Sequence, residues 1–156
     1  MTRPDETTNR LASDGPALAR ILGYAGAIPF LGCGFAGMSG ADIAGFDPAR
    51  LLISYAAVIL SFLGGLHWGR VASAAVPDRS AGLWLIWSVL PSLIGWAALL
   101  LPVYLAAIML AACFLAALMI DLKLIAQQEW AAWMHSLRLH LTLVATASLF
   151  SIYIWG

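Results

Sequence analysis

Apolar residues in this chain come in long unbroken blocks rather than in the alternation of a strand or the narrow stripe of a soluble helix. A helix that crosses a membrane needs about 20 consecutive, mostly apolar residues. Stretches of that kind occupy 17–38, 48–73, 81–99, 102–120 and 137–155. Prolines punctuate them. Asp47-Pro48 reads as a helix start, because the Asp side chain can cap free N–H groups and proline fits the first helical position. Pro77-Asp78 breaks the chain between the second and third spans. Pro102 leaves almost no loop between the third and fourth, which predicts a tight helical hairpin. Pro29 and Pro91 fall inside spans, where proline predicts kinks whose freed carbonyls need partners from neighbouring helices.

Composition agrees with the pattern. Of 156 residues, 62% are hydrophobic and 10% charged, and the mean hydropathy is +0.89. Soluble domains carry about 25% charged residues. A globule this small could not hide so much apolar side chain. The fold class is therefore an all-α integral membrane protein, a bundle of five transmembrane helices. The polar stretch 1–16 reads as a disordered cytoplasmic tail, and 17–156 as a single transmembrane domain. Net charge is zero, so nothing argues for nucleic acid as a partner. Cys33 and Cys113 lie in apolar runs without metal-type spacing and read as buried free thiols.

The distribution of Lys and Arg sets the orientation. With the N-terminus cytoplasmic and the C-terminus periplasmic, the inner side holds Arg3, Arg10, Arg20, Arg70, Arg79, Lys123 and Arg138, and the outer side only Arg50. Between spans four and five, Trp130, Trp133, Met134 and Leu137 recur at helical spacing, which predicts a short helix lying in the inner interface. Trp68, Trp130 and Trp133 are expected as interface anchors. Trp84, Trp96, Tyr104 and Trp155 fall at the depth of an aromatic belt.

The polar residues within or beside the spans carry whatever chemistry there is. The second span ends in "FLGGLHWGR", where Ser61, Gly65 and Gly69 form a stripe of small residues that would admit another helix closely. His67 and Arg70 share a different face. Asp121 closes span four, where a carboxylate meets the negative end of the helix dipole and should seek a cation. Arg138 and His140 open span five at the same level. An inner-face polar cluster of His67, Arg70, Asp121, Arg138 and His140 is thus expected, either as a structural clamp or as a binding or proton site. His67 and His140 also make a b-type haem geometrically conceivable. No Glu-x-x-His motif points to a metal, no nucleophile motif to catalysis, and no midplane carboxylate to ion-coupled transport.

Two blocks carry a resemblance. "YAAVILSFLGGLHWGR", from Tyr55 to Arg70, resembles the signature of the family of transmembrane protein 69 and its bacterial homologues, a domain of unknown function. Asp121 followed by "EWAAWMHSLRLHLT", from Glu129 to Thr142, is similar to the family's second block. The family often has a proline and a Trp-Tyr pair where this chain has Trp130 to Trp133. The resemblance implies a multi-span protein of a bacterial or mitochondrial inner membrane. It marks His67, Trp68, Gly69, Arg70, Asp121, Leu137, Arg138 and Thr142 as motif positions, and it implies no activity.

These readings lead to a multi-pass protein of the bacterial inner membrane, and more readily to a non-enzyme than to an enzyme. The expected function is an accessory or assembly subunit of an inner-membrane, respiratory complex, with a larger membrane complex or further copies of itself as partners and no resident cofactor. The first alternative is a lipid- or quinone-binding protein using the inner-face cluster. The second is a b-type haem protein.

Overall fold

The computed structural model describes residues 4–73, 80–127 and 130–155, with side chains from Gly15 onward. The helices are α1 (Pro4–Ala25), α2 (Ile28–Met38), α3 (Pro48–Ala72), α4 (Ala81–Ala98), α5 (Val103–Ala126) and α6 (Met134–Trp155). No strand occurs among the described residues. Among the described residues, five stretches are long and apolar enough to cross a membrane, with α1 and α2 together supplying the first, Gly15–Met38. Helix starts and ends lie close to the expected boundaries for the second and third spans.

The first span differs from expectation in two ways. Helix α1 reaches back to Pro4, where a disordered tail was expected. The span is also broken rather than kinked. Proline at position 29 has no N–H to give the preceding turn and its ring clashes with it, so it begins a new helix as the second residue of α2. The turn at the break is closed by Gly26 N–H to the Leu22 and Gly23 carbonyls and by Ala27 N–H to Tyr24. The Tyr55 hydroxyl on α3 then donates to the Gly26 carbonyl at 2.9 Å. A polar group exposed by the break inside the bundle is met by a neighbouring helix, as an apolar medium demands.

Helix α3 begins as read, with the Asp47 carboxylate accepting from Ala49 N–H at 3.0 Å. It is the central helix, packed against α2, α4, α5 and α6. Leu52, Ala56 and Leu60 along its length are wholly buried. Phe30 of α2 meets Tyr55 and Phe114 edge-on, at 5.0 and 6.1 Å between centroids, and joins α2, α3 and α5. The outward faces carry Phe35, Leu83 and Ile154, more than 70% exposed, as lipid-facing surfaces would.

The close helix contacts use different glycines from those expected. Gly65 and Gly69 are exposed and a Cβ on either would meet nothing. Ser61 is half-buried and turns its hydroxyl to the Ala57 carbonyl. The stripe Ser61–Gly65–Gly69 is therefore not a seam within the chain. Gly64 fills that role: a Cβ there would run into the Ser88 carbonyl oxygen of α4. One end further along, a Cβ on Gly95 of α4 would stand 3.0 Å from the Ala57 carbonyl oxygen of α3. The α3–α4 pair is tight because each helix offers a glycine to the other's backbone.

The separate interfacial helix between spans four and five is not found among the described residues. Helix α5 runs on to Ala126, Ala132 and Trp133 form a turn, and Met134 already opens α6. The Trp130–Leu137 periodicity belongs partly to that turn and partly to the first turn of α6.

Candidate functional site

Helices α3 and α5 end, and α6 begins, at the same end of the bundle. His67 and Asp121 each lie about 7 Å inside their helix ends and Arg138 about 6 Å inside its own, at a rise of 1.5 Å per residue. All three are buried, at 2%, 1% and 4% exposure. Their level is common, so their side chains meet. Arg138 reaches the Asp121 Oδ2 with both Nε and Nη2. His67 Nε2 stands 3.1 Å from Oδ1. One carboxylate thus ties α3 to α6 through its two oxygens while anchored on α5.

The neutralisation matters more here than at a surface. A buried carboxylate without a cation would be strongly destabilising, and so would a buried guanidinium without an anion. Asp121 near a helix C-terminus is also opposed by the helix dipole. Arg138, near the start of α6, answers both problems at once.

The imidazole of His67 is held by aromatic rings. Trp84 of α4 stacks on it at 5.7 Å between centroids and 9° between planes. Trp130 stacks on it at 5.1 Å and 25°. Trp87 approaches edge-on at 6.4 Å. The guanidinium of Arg70 lies over the Trp84 ring, 4.4 Å from its centroid, within the range of a cation–π contact. Arg70 thus belongs to the site through Trp84 rather than through Asp121. His67 Nδ1 and Trp87 Nε1 are buried without a hydrogen-bond partner among the described residues.

Of the five residues expected to cluster, His67, Asp121 and Arg138 make direct contact and Arg70 joins by way of Trp84. His140 does not join. It is exposed and its Nδ1 pairs with the Tyr24 hydroxyl at 3.0 Å. The tryptophans also sort differently. Trp68 is 51% exposed. Trp133 is half-buried under Arg20, 5.6 Å from its ring. Trp130, expected as an interface anchor, instead stacks on His67. Trp84 and Trp87 were not singled out for the site. Their shared signal is a spacing of three on α4, which puts both on one helix face.

Next to Arg138 a cleft of about 120 Å³ opens among the helices. Its wall is mostly apolar, built by Gly26, Phe30, Phe62 and Phe114, and Arg138 and Thr142 also line it. Leu22 and Phe62 at its rim are 63% and 61% exposed, so it opens toward the lipid-facing surface. Thr142 is 2% exposed. Its carbonyl accepts from the Thr146 hydroxyl at 2.7 Å, but its own Oγ1 has no partner among the described residues. No cluster of histidine, cysteine or carboxylate side chains suited to a metal occurs among them. Cys33 and Cys113 are buried free thiols.

With this geometry in view, likeness to known proteins can be stated. The chain is 34% identical over 147 residues to transmembrane protein 69 of Xenopus tropicalis, covering 87% of this chain and 53% of that protein. It therefore spans about half the length of that curated relative. No solved structure matches. Residues 15–154 match the family described as protein of unknown function, DUF3429, and with both likenesses covering nearly all of the helical bundle, the chain belongs to this membrane-protein family.

Proposed function

We propose that this protein binds an amphiphilic small molecule, a lipid or a quinone, in the cleft lined by Arg138 and Thr142. The observation that carries the reading is the pairing of an apolar, lipid-open cleft with a buried hydroxyl that has no partner among the described residues. Binding sites for such molecules are mostly apolar with a few placed polar groups. The His67–Asp121–Arg138 arrangement sets the polar end, because Asp121 fixes where the Arg138 side chain stands.

The accessory-subunit reading draws on small size and on the exposed Gly65 and Gly69 of α3. Those glycines name no partner, so the cleft supports its own reading further. The haem reading finds less support, because His67 Nε2 faces Asp121 and His140 Nδ1 faces Tyr24. The bias of Lys and Arg toward one end supports a cytoplasmic N-terminus in a bacterial inner membrane, with the site at the inner leaflet.

Native mass spectrometry of protein extracted in mild detergent tests the proposal, with Leu141→Trp as the cleft-filling variant. Leu141 is half-buried on the cleft wall. The parent should carry a bound amphiphile and the variant should lose it while keeping the parent's helical circular dichroism. A parent that carries none, or equal loading of both proteins, would overturn the reading.

A further inference from the structure

We infer that the cleft selects a neutral, ring-headed ligand of the quinone class, one that offers a carbonyl oxygen to the Thr142 hydroxyl, over an anionic lipid. The inference rests on the cleft reading above and names its ligand.

Charge is the first argument. The positive group in the cleft wall is Arg138, and its guanidinium is already engaged by the Asp121 carboxylate through Nε and Nη2. An anionic phosphate or carboxylate entering the cleft would meet a guanidinium whose charge is answered, and Asp121 directly behind it. Desolvating that anion would bring no matching gain. A neutral head loses nothing on this account.

The second argument is the unpaired donor. A threonine within a helix commonly turns its hydroxyl back to the carbonyl one turn earlier. Thr146 does this, donating to Thr142. Thr142 does not, and its Oγ1 is buried beside the cleft with no partner among the described residues. A buried polar group without a partner costs about 1–3 kcal/mol. A ligand oxygen that accepts from Thr142 removes that cost, and a hydrocarbon chain cannot.

Size and depth supply the third. Thr142 lies about 12 Å along α6 from its first residue, beyond the polar first turns that carry His135 and Arg138. A cavity of about 150 Å³ takes a benzene ring, and the cleft, at about 120 Å³ and open on its lipid side, is of that order. A six-membered ring would be held partly within it, with its substituents and an isoprenoid tail leaving past Leu22 and Phe62 into the bilayer.

The test uses the full chain in detergent with short-chain ubiquinone as the probe, and dioleoyl phosphatidylglycerol and oleate as competitors. Ubiquinone should bind saturably. Thr142→Val, which keeps the shape and removes the hydroxyl, should weaken it about tenfold, the worth of one hydrogen bond. Thr142→Ser should bind as the parent does. Neither anionic competitor should displace the ring. Unchanged binding in Thr142→Val, or displacement by phosphatidylglycerol or oleate, overturns the inference. If phosphatidylglycerol binds and is lost in Leu141→Trp, the cleft reading stands and only the ligand class falls. If neither probe binds the parent and nothing is carried through extraction, the cleft reading itself falls.

Discussion

Asp121 and Arg138 face each other in the interior of the bundle, and the guanidinium closes on a single carboxylate oxygen, Oδ2. The other oxygen is left to His67 on a third helix. The pair is therefore a junction of α3, α5 and α6 and not a surface bridge. Its worth lies in mutual dependence: each charge is tolerable in the interior only because the other is there.

That dependence makes Asp121→Asn a severe change. The amide would keep the shape and strand the Arg138 charge, at a cost of about 3–5 kcal/mol. The double variant Asp121→Leu with Arg138→Met removes both charges and should be closer to the parent than Asp121→Asn is. Thermal unfolding in detergent, followed by circular dichroism, measures both. A double variant as unstable as the single one would show that the charges contribute more than their mutual compensation.

The contrast between Gly64 and Gly65 gives a second prediction from adjacent residues. Gly64→Ala pushes a methyl group into the Ser88 carbonyl of α4. Backbone cannot step aside as a flexible side chain can, so the α3–α4 contact should loosen at about 1–3 kcal/mol. Gly65→Ala meets open space and replaces the poorer helix former, with a gain of up to about 1 kcal/mol. The same unfolding measurement should move in opposite directions for the two. Equal effects would mean that close approach at Gly64 is not what limits the packing.

The spans and the polar level were legible in the sequence for simple reasons. Apolar blocks of spanning length have few alternatives, and Asp121, a carboxylate at the wrong end of its helix, asks for a cation at the same depth. What escaped was lateral arrangement. Ser61, Gly65 and Gly69 are small at helical spacing, yet which face of α3 meets α4 depends on the whole bundle, and Gly64 won. Trp84 and Trp130 sit near helix ends, where belt tryptophans also sit, so composition could not separate a ring stacked on His67 from one at the lipid interface. Pro29 predicts a kink where the structure has a break at Gly26 and Ala27, because a proline alone does not tell whether the helix resumes in line. His140 shares depth with Arg138, but two residues along a helix turn it about 200° away, toward Tyr24.

The stack of Trp84, His67 and Trp130 gives the third prediction. His67 contributes two things, a flat ring between two indoles and a polar edge at Asp121. His67→Phe keeps the first and removes the second. His67→Ala removes both and leaves a cavity beneath two tryptophans. Loss of a buried aromatic ring costs about 3–5 kcal/mol, so His67→Ala should be the more destabilising, and its tryptophan emission should shift to longer wavelength as the indoles gain contact with water. His67→Phe should keep the parent's emission while losing only the 3.1 Å contact to Asp121 Oδ1, at a smaller cost than His67→Ala. If both variants unfold alike with the same emission shift, the polar edge rather than the ring holds Trp84 and Trp130 in place, and the stack is a consequence of the Asp121 contact rather than a support for it.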